Sequence, residues 1–222
     1  MSLKSTNNKE NKTILKEQFR KESLTKLEFV SEYKHLKNSK TALLKLKNVL
    51  KKIKFKTICL YFPLKSEVDI RILLNYLRKE KKVYVPFMEC VSFKLVKYRL
   101  PVQKKRFNIM EPSNSFARVP KIDVAVIPVV GVDGDMRRVG FGKGMYDRFF
   151  ASLKPAPLVI FIQLTKCFTK ERLCEAYDVQ ADIYITPTDI MIKRGKNVFR
   201  ARDRGSCGYN HRNCGICSGK KT

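Results

Sequence analysis

The chain has 222 residues, 44% of them hydrophobic, and a formal net charge of +27. That length suits one ordinary domain with flanking extensions, and that apolar content excludes wholesale disorder. No run approaches the roughly 20 apolar residues of a membrane span, and Met1–Thr13 is polar with no stretch resembling a secretory signal, so a cytoplasmic protein is expected.

Residues 1–12 read as a disordered lead. From Thr13 the recurrence of Leu15, Phe19, Leu24 and Leu27 predicts a helix, and Leu43, Leu46, Leu50 and Ile53 predict a second with one apolar face. Thr57–Phe62 is a short β-rich run ending at Pro63, and Val68–Arg78 returns to helical spacing. Lys82–Val85 reads as a brief strand before Pro86, and Ser92–Tyr98 alternates as another. Asp123–Val130 is almost continuously apolar, as a strand covered on both faces must be. A glycine-rich loop then leads into a helix over Met145–Leu153, followed by strand-like Leu158–Leu164 and Asp182–Thr186. Strands alternating with helices predict a layered α/β domain over residues 13–192. Near Lys193 the composition turns to Gly, Arg, Asn and Ser, so residues 193–222 form a basic, flexible tail.

The charge invites a nucleic-acid reading, but its distribution argues against one. Residues 1–56 carry sixteen basic and five acidic side chains, and residues 193–222 carry nine and one. The middle of the chain holds only a modest excess, and the N-terminal surplus is lysine spread along helices, which suits solvated faces. Of the seven cysteines, Cys59, Cys90, Cys167 and Cys174 stand singly in apolar or mixed segments and read as core thiols. In the tail, Cys207, Cys214 and Cys217 with His211 between them offer four zinc-type ligands within eleven residues. A tail with no core around it favours unliganded chain over that site.

The most informative segment is residues 129–149, VVGVDGDMRRVGFGKGMYDRF. A buried strand runs into Gly140, Gly142 and Gly144 at alternate positions, and a helix follows. Glycines so spaced let successive N–H groups face an anion, with the positive end of the next helix behind them. Arg138 and Lys143 bracket the loop with positive charge, and Asp147 just inside the helix suits a hard cation that bridges phosphate oxygens. Lys143 precedes Gly144 instead of Ser or Thr, which excludes a P-loop, and the dinucleotide fingerprint and kinase motifs are also missing.

This segment resembles the signature of the 5-formyltetrahydrofolate cyclo-ligase family, roughly P-x-x-A-F-D-x-x-G-x-R-L-G-Y-G-G-G-Y-Y-D-R. Pro128, Asp133, Arg138, Gly140, Gly142, Gly144, Tyr146, Asp147 and Arg148 stand at matching positions. Met136 replaces a glycine of the pattern, Val132 and Val139 replace Phe and Leu, and Met145 replaces a tyrosine expected near the folate. Lys16 and Arg20 match a family pair that contacts ATP phosphates, and a spacing of four stacks both on one helix face. Tyr61–Asp69 resembles the family's Y-x-P-x-x-x-E-x-D turn, in which Glu67 corresponds to the residue that binds the pterin, with Phe62 beside the ligand. Glu111–Pro112 matches a Glu–Pro pair read as a turn. Residues 177–186 resemble an H-D-x-x-L-D-x-I-I-T ending, with Tyr177 in place of His and Asp178 at a second magnesium contact.

The resemblance implies a three-layer, Rossmann-like α/β sandwich with a central, largely parallel or mixed sheet. It implies ATP- and Mg²⁺-dependent cyclisation of 5-formyltetrahydrofolate to 5,10-methenyltetrahydrofolate, with Arg138 and Lys143 in catalytic roles. Lys16, Arg20, Arg138, Gly140, Phe141, Gly142, Lys143, Gly144, Met145 and Tyr146 would bind ATP. Phe62, Glu67, Met145 and Tyr146 would bind the folate, and Asp147 and Asp178 the metal. With only His35 and His211 in the chain, no Ser–His–Asp or Cys–His arrangement is evident. A monomer without a nucleic-acid or membrane partner is expected. The competing readings are a basic nucleic-acid-binding protein and a non-catalytic folate or nucleotide binder on the same scaffold.

Overall fold

The computed structural model describes residues 3–89, 92–104, 110–112, 121–193 and 195. Cys90 and the tail cysteines with His211 lie outside these residues. The helices are α1 (Leu3–Glu28), α2 (Glu32–Lys51), α3 (Arg71–Leu77) and α4 (Met145–Ser152). The strands are β1 (Thr57–Cys59), β2 (Lys82–Glu89), β3 (Ser92–Lys97), β4 (Val102–Lys104), β5 (Met110–Pro112), β6 (Val124–Pro128), β7 (Gly131–Val132), β8 (Arg138–Val139), β9 (Leu158–Ile162), β10 (Ile183–Ile185) and β11 (Ile190–Ile192). No helix among the described residues is long and apolar enough to cross a membrane.

Seven strands form one sheet in the order β11-β10-β9-β6-β1-β2-β3. The five inner strands are parallel and both edges are antiparallel, so the sheet is mixed and mostly parallel, as expected. Alternation along each inner strand sends side chains to two cores. Ile58, Val83, Val124, Val126, Ile160 and Ile183 pack on one face with Leu43, Leu46 and Leu50 of α2 and Leu73, Leu74 and Leu77 of α3. Cys59, Tyr84, Ala125, Ile127, Phe161 and Tyr184 pack on the other face with Phe150 of α4. Cys59, Cys167 and Cys174 are free and buried. Covering both faces explains why β6 is buried at every position.

From β1 the chain moves to β2 on one side, whereas β6, β9 and β10 build the other side. The connection therefore reverses between β1 and β6. In open α/β sheets, ligands bind outside the carboxyl ends of the strands at such a reversal. β1 delivers Tyr61 and its loop to that place, and β6 delivers Pro128.

Several elements differ from the sequence reading. Helix α1 begins at Leu3, ten residues before the start expected at Thr13, and it is tied to the rest of the fold at Lys12. The tether is tertiary: Lys12 Nζ donates to Cys174 O at 3.0 Å and pairs with Glu175 at 2.9 Å. Helix α3 starts at Arg71 and not at Val68, because Tyr61 Oη donates to Val68 O and Asp69 accepts from the Arg71 N–H, which fixes the chain before the helix. Strand β2 continues through Pro86 to Glu89. Tyr98 N donates to Val83 O, so by alternation the donor missing at Pro86 faces the β1 side, where pairing ends at Cys59. Glu111–Pro112 belongs to β5, paired with β4, and is not a turn.

Candidate active site

The short β7–β8 hairpin presents the glycine loop. Asp133 at its turn is fully buried, and its carboxylate accepts from the N–H groups of Asp135, Arg137 and Cys174 at 3.0, 2.8 and 2.9 Å. Three backbone donors make this aspartate a scaffold for the turn. Met136, in the same turn, adopts φ 60°, a conformation that costs a side-chain-bearing residue of order 1–3 kcal/mol. That is where the family pattern has glycine.

Gly142 and Gly144 do take positive φ, at 94° and 58°, and Gly144 is the N-cap of α4 with no side-chain cap bond. The first N–H groups of α4 therefore have no cap side chain as acceptor. Gly140 serves differently. A Cβ there would lie 2.7 Å from Arg138 Nη2, so the guanidinium occupies the space a side chain would need. Residues Phe141–Lys143 are exposed.

Arg138 is the centre of the charges. It is only 6% exposed, its Nη2 donates to Asp147 Oδ2 at 3.0 Å, and its guanidinium lies 4.9 Å from the centre of the Tyr146 ring. Its Nε is buried without a partner among the described residues. Asp147 Oδ1 accepts from Val179 N at 3.0 Å, which brings the residue after Asp178 to the same corner. Asp178 in turn accepts from Lys16 Nζ at 2.6 Å and from Glu175 N at 2.7 Å. Burial alone would lower the Lys16 ammonium pKa, but the Asp178 hydrogen bond and surrounding negative groups leave it raised. Arg20, one turn further along α1, donates from Nε to Gly140 O at 2.9 Å. Arg148 Nη2 donates to Lys143 O.

Beside this corner lies a cavity of about 290 Å³. Phe62, Glu67, Arg138, Phe141, Lys143, Gly144, Met145 and Tyr146 line it, together with Tyr61, Leu64, Pro86, Met88, Phe93 and Pro128. Most of the wall is apolar or aromatic, which suits a flat heterocycle oriented by a few polar groups. Glu67 Oε2 accepts from Leu64 N at 2.9 Å. Burial raises its carboxyl pKa to about 7, against the lowering effects of that N–H and of Arg138. Burial also holds the Tyr146 phenol well above its ordinary range, with Glu67 adding to the rise.

Every site residue singled out in the sequence thus falls in one of two adjoining places. Phe62, Glu67, Phe141, Lys143, Gly144, Met145 and Tyr146 face the cavity. Lys16, Arg20, Gly140, Asp147 and Asp178 belong to the charged corner, Gly142 lies in the exposed loop near Arg20, and Arg138 joins the two. Asp147 and Asp178 meet no third potential metal ligand, since no group of three or more such residues occurs among the described residues. Met88 and Phe93 of the β2–β3 hairpin were not foreseen, although the apolar alternation at Phe93 and Leu95 was a usable signal.

Comparison with known proteins bears on the family and the fold. The model of the 5-formyltetrahydrofolate cyclo-ligase family matches residues 12–187. A protein named 5-formyltetrahydrofolate cyclo-ligase from Mycoplasma pneumoniae is 31% identical over 131 residues, covering 59% of this chain and 72% of that protein. Its namesake from Haemophilus influenzae is 28% identical over 110 residues, covering 46% and 59%. Among solved structures, the Aquifex aeolicus 5,10-methenyltetrahydrofolate synthetase superposes with a TM-score of 0.69 at 28% identity, over 90% of this chain and 99% of that one. The Mycoplasma pneumoniae 5,10-methenyltetrahydrofolate synthetase gives 0.60 at 25% identity, over 78% and 98%.

Proposed function

The chain belongs to the 5-formyltetrahydrofolate cyclo-ligase family, and from that premise we propose that it converts 5-formyltetrahydrofolate to 5,10-methenyltetrahydrofolate at the expense of ATP, releasing ADP and phosphate. The observation that carries the reading is the position of Arg138. It faces a mostly apolar cavity beside Lys143 and Glu67, and it is fixed by Asp147 next to the exposed glycine loop.

In this mechanism the formyl oxygen attacks the γ-phosphorus and ADP leaves, giving an imidate-like phosphate. The second amine nitrogen of the folate then attacks the activated carbon and closes the five-membered ring. That nitrogen loses its proton, and phosphate departs with the former formyl oxygen. Phosphoryl transfer demands chiefly positioning and neutralisation of charge. Lys16 and Arg20 hold the outer phosphates from α1, and the N–H groups from Gly140 to Tyr146 complete the cradle. Arg138 and Lys143 stabilise the transferred phosphoryl. Phe62, Met145 and Tyr146 enclose the pterin, and Glu67 orients it.

Asp147 and Asp178 offer hard oxygen donors at one corner, a set that fits Mg²⁺ as it is bound with phosphates. When bound, the metal neutralises phosphate charge. The paired cations Arg138 and Lys16 are the groups that would then turn to phosphate oxygens. We read the protein as a cytoplasmic monomer.

The test is formation of methenyl-folate absorbance from 5-formyltetrahydrofolate, with and without MgATP. ATP-dependent growth of the signal is expected. Binding of both substrates without any signal would leave a non-catalytic relative, and a signal independent of ATP would remove the nucleotide from the reaction.

A further inference from the structure

We propose that Arg137 is a positioning residue that sets the geometry of the Asp147–Asp178 corner, an inference that rests on the cyclo-ligase reading for its functional meaning. Its own backbone is fixed first. Arg137 N donates to the buried Asp133 carboxylate at 2.8 Å, Arg137 O accepts from Asp133 N at 3.0 Å, and Arg137 bridges to Gln180 in antiparallel fashion. From that anchored place, Nη1 donates to Ala176 O at 2.9 Å and to Asp178 O at 2.7 Å.

The second bond matters because of what lies on the other side of the same peptide unit. The carbonyl of Asp178 is held by Arg137, and the adjoining N–H of Val179 is held by Asp147 Oδ1 at 3.0 Å. One planar peptide group therefore connects the Arg137 guanidinium to the Asp147 carboxylate, and it cannot rotate without breaking both bonds. The turn before it is closed by Asp178 itself, which accepts from Glu175 N while its N–H donates to Glu175 O at 3.1 Å. The orientation of Asp178 and that of Asp147 are thus set together by a side chain that touches neither carboxylate. In the family pattern this position is unspecified, lying one residue before Arg138. The assignment comes from tertiary geometry alone.

Groups that orient the ligands of a site commonly change affinity or activity about 10- to 100-fold when removed. Arg137→Met and Arg137→Lys separate positioning from mere support. In Arg137→Met, the Val179 amide should exchange with solvent at least tenfold faster relative to β6 amides. The KM for ATP and the half-saturating Mg²⁺ concentration should rise roughly tenfold or more, while the KM for the folate stays within about twofold. Arg137→Lys, keeping one donor, should recover part of each effect. Val179 exchange unchanged against β6 overturns the inference, whatever the activity. So does a variant that loses thermal stability but keeps the KM for ATP and the Mg²⁺ response of the parent. Failure of the cyclo-ligase reading is distinguishable, because the unsubstituted protein would then lack ATP-dependent turnover while the exchange measurement still judges Arg137.

Discussion

The two ends of the central sheet carry concavities of very different kinds. At the amino ends of β1 and β6 lies an open groove of about 840 Å³, and at the carboxyl ends lies the cavity of about 290 Å³. The larger one is lined by Lys47, Lys51, Lys54, Lys56 and Lys81 over an apolar floor that includes Leu50, Leu73 and Leu77. Its Asp123 is consumed by the chain itself, accepting from Lys56 N, Thr57 N and Thr57 Oγ1. At the smaller one, buried opposite charges converge: Arg138 on Asp147, Lys16 on Asp178, and Glu67 facing the same space as Arg138. Volume follows the lengths of helices and loops. Holding opposed charges out of water is not favoured by stability alone, and such groups cluster at functional sites.

The sharpest way to break this contrast is at the carboxyl end. Asp147→Asn keeps an acceptor for Val179 N but leaves Arg138 without its carboxylate. ATP-dependent turnover should fall roughly a hundredfold, the scale of losing one electrostatic contact in a reacting centre. Circular dichroism should confirm a folded chain, and an unchanged rate at saturating Mg²⁺ would remove Asp147 from the site. A smaller loss is expected from Gly140→Ala. Its methyl group would meet the Arg138 guanidinium at 2.7 Å, and Asp147 prevents an easy retreat, so turnover should drop roughly tenfold with little change in melting temperature. Wild-type turnover would show that Arg138 can shift without consequence.

Glu67 tests the contrast through pH. Its folded pKa of about 7 lies above the ordinary 4.5, with Tyr61, Tyr146 and Arg138 as its charged or titratable neighbours. Between those values the folded chain keeps a proton that the unfolded chain has released, so stability falls as pH rises from about 4.5 to about 7. The melting temperature should decline by roughly a few degrees over that window, and Glu67→Gln should flatten the decline. An equal slope in both proteins would mean that Glu67 is ionised in the cavity throughout. The smallest effect belongs to the amino end. Replacing Lys47 and Lys54 together by Gln should leave turnover within about twofold and stability within about 0.5 kcal/mol per site. A large loss of turnover there would erase the distinction between the two ends.

Much of this was legible in the residues, because local spacing reports local burial. The continuous apolar run around β6 announced a strand covered on both faces, and the alternating glycines announced the bend between β8 and α4. Lys16 and Arg20 could be placed on one face of α1 from their spacing. Their partners could not: Lys16 reaches Asp178 and Arg20 reaches Gly140 across 162 and 120 positions of chain. The same limit hid the fastening of Lys12 to Cys174 and Glu175.

The sequence by itself determined the layered α/β class, the bend at Gly140–Gly144 and the residue types gathered near it, since periodicity, glycine and charge act over a few neighbouring residues. Only the tertiary structure decided which cation holds which carboxylate, that Met88 and Phe93 close the cavity, and that Arg137 grips the peptide beside Asp178. Those outcomes depend on the path that brings β1 and β6 together at the reversal of the sheet, and no local pattern encodes a distance between residues that far apart.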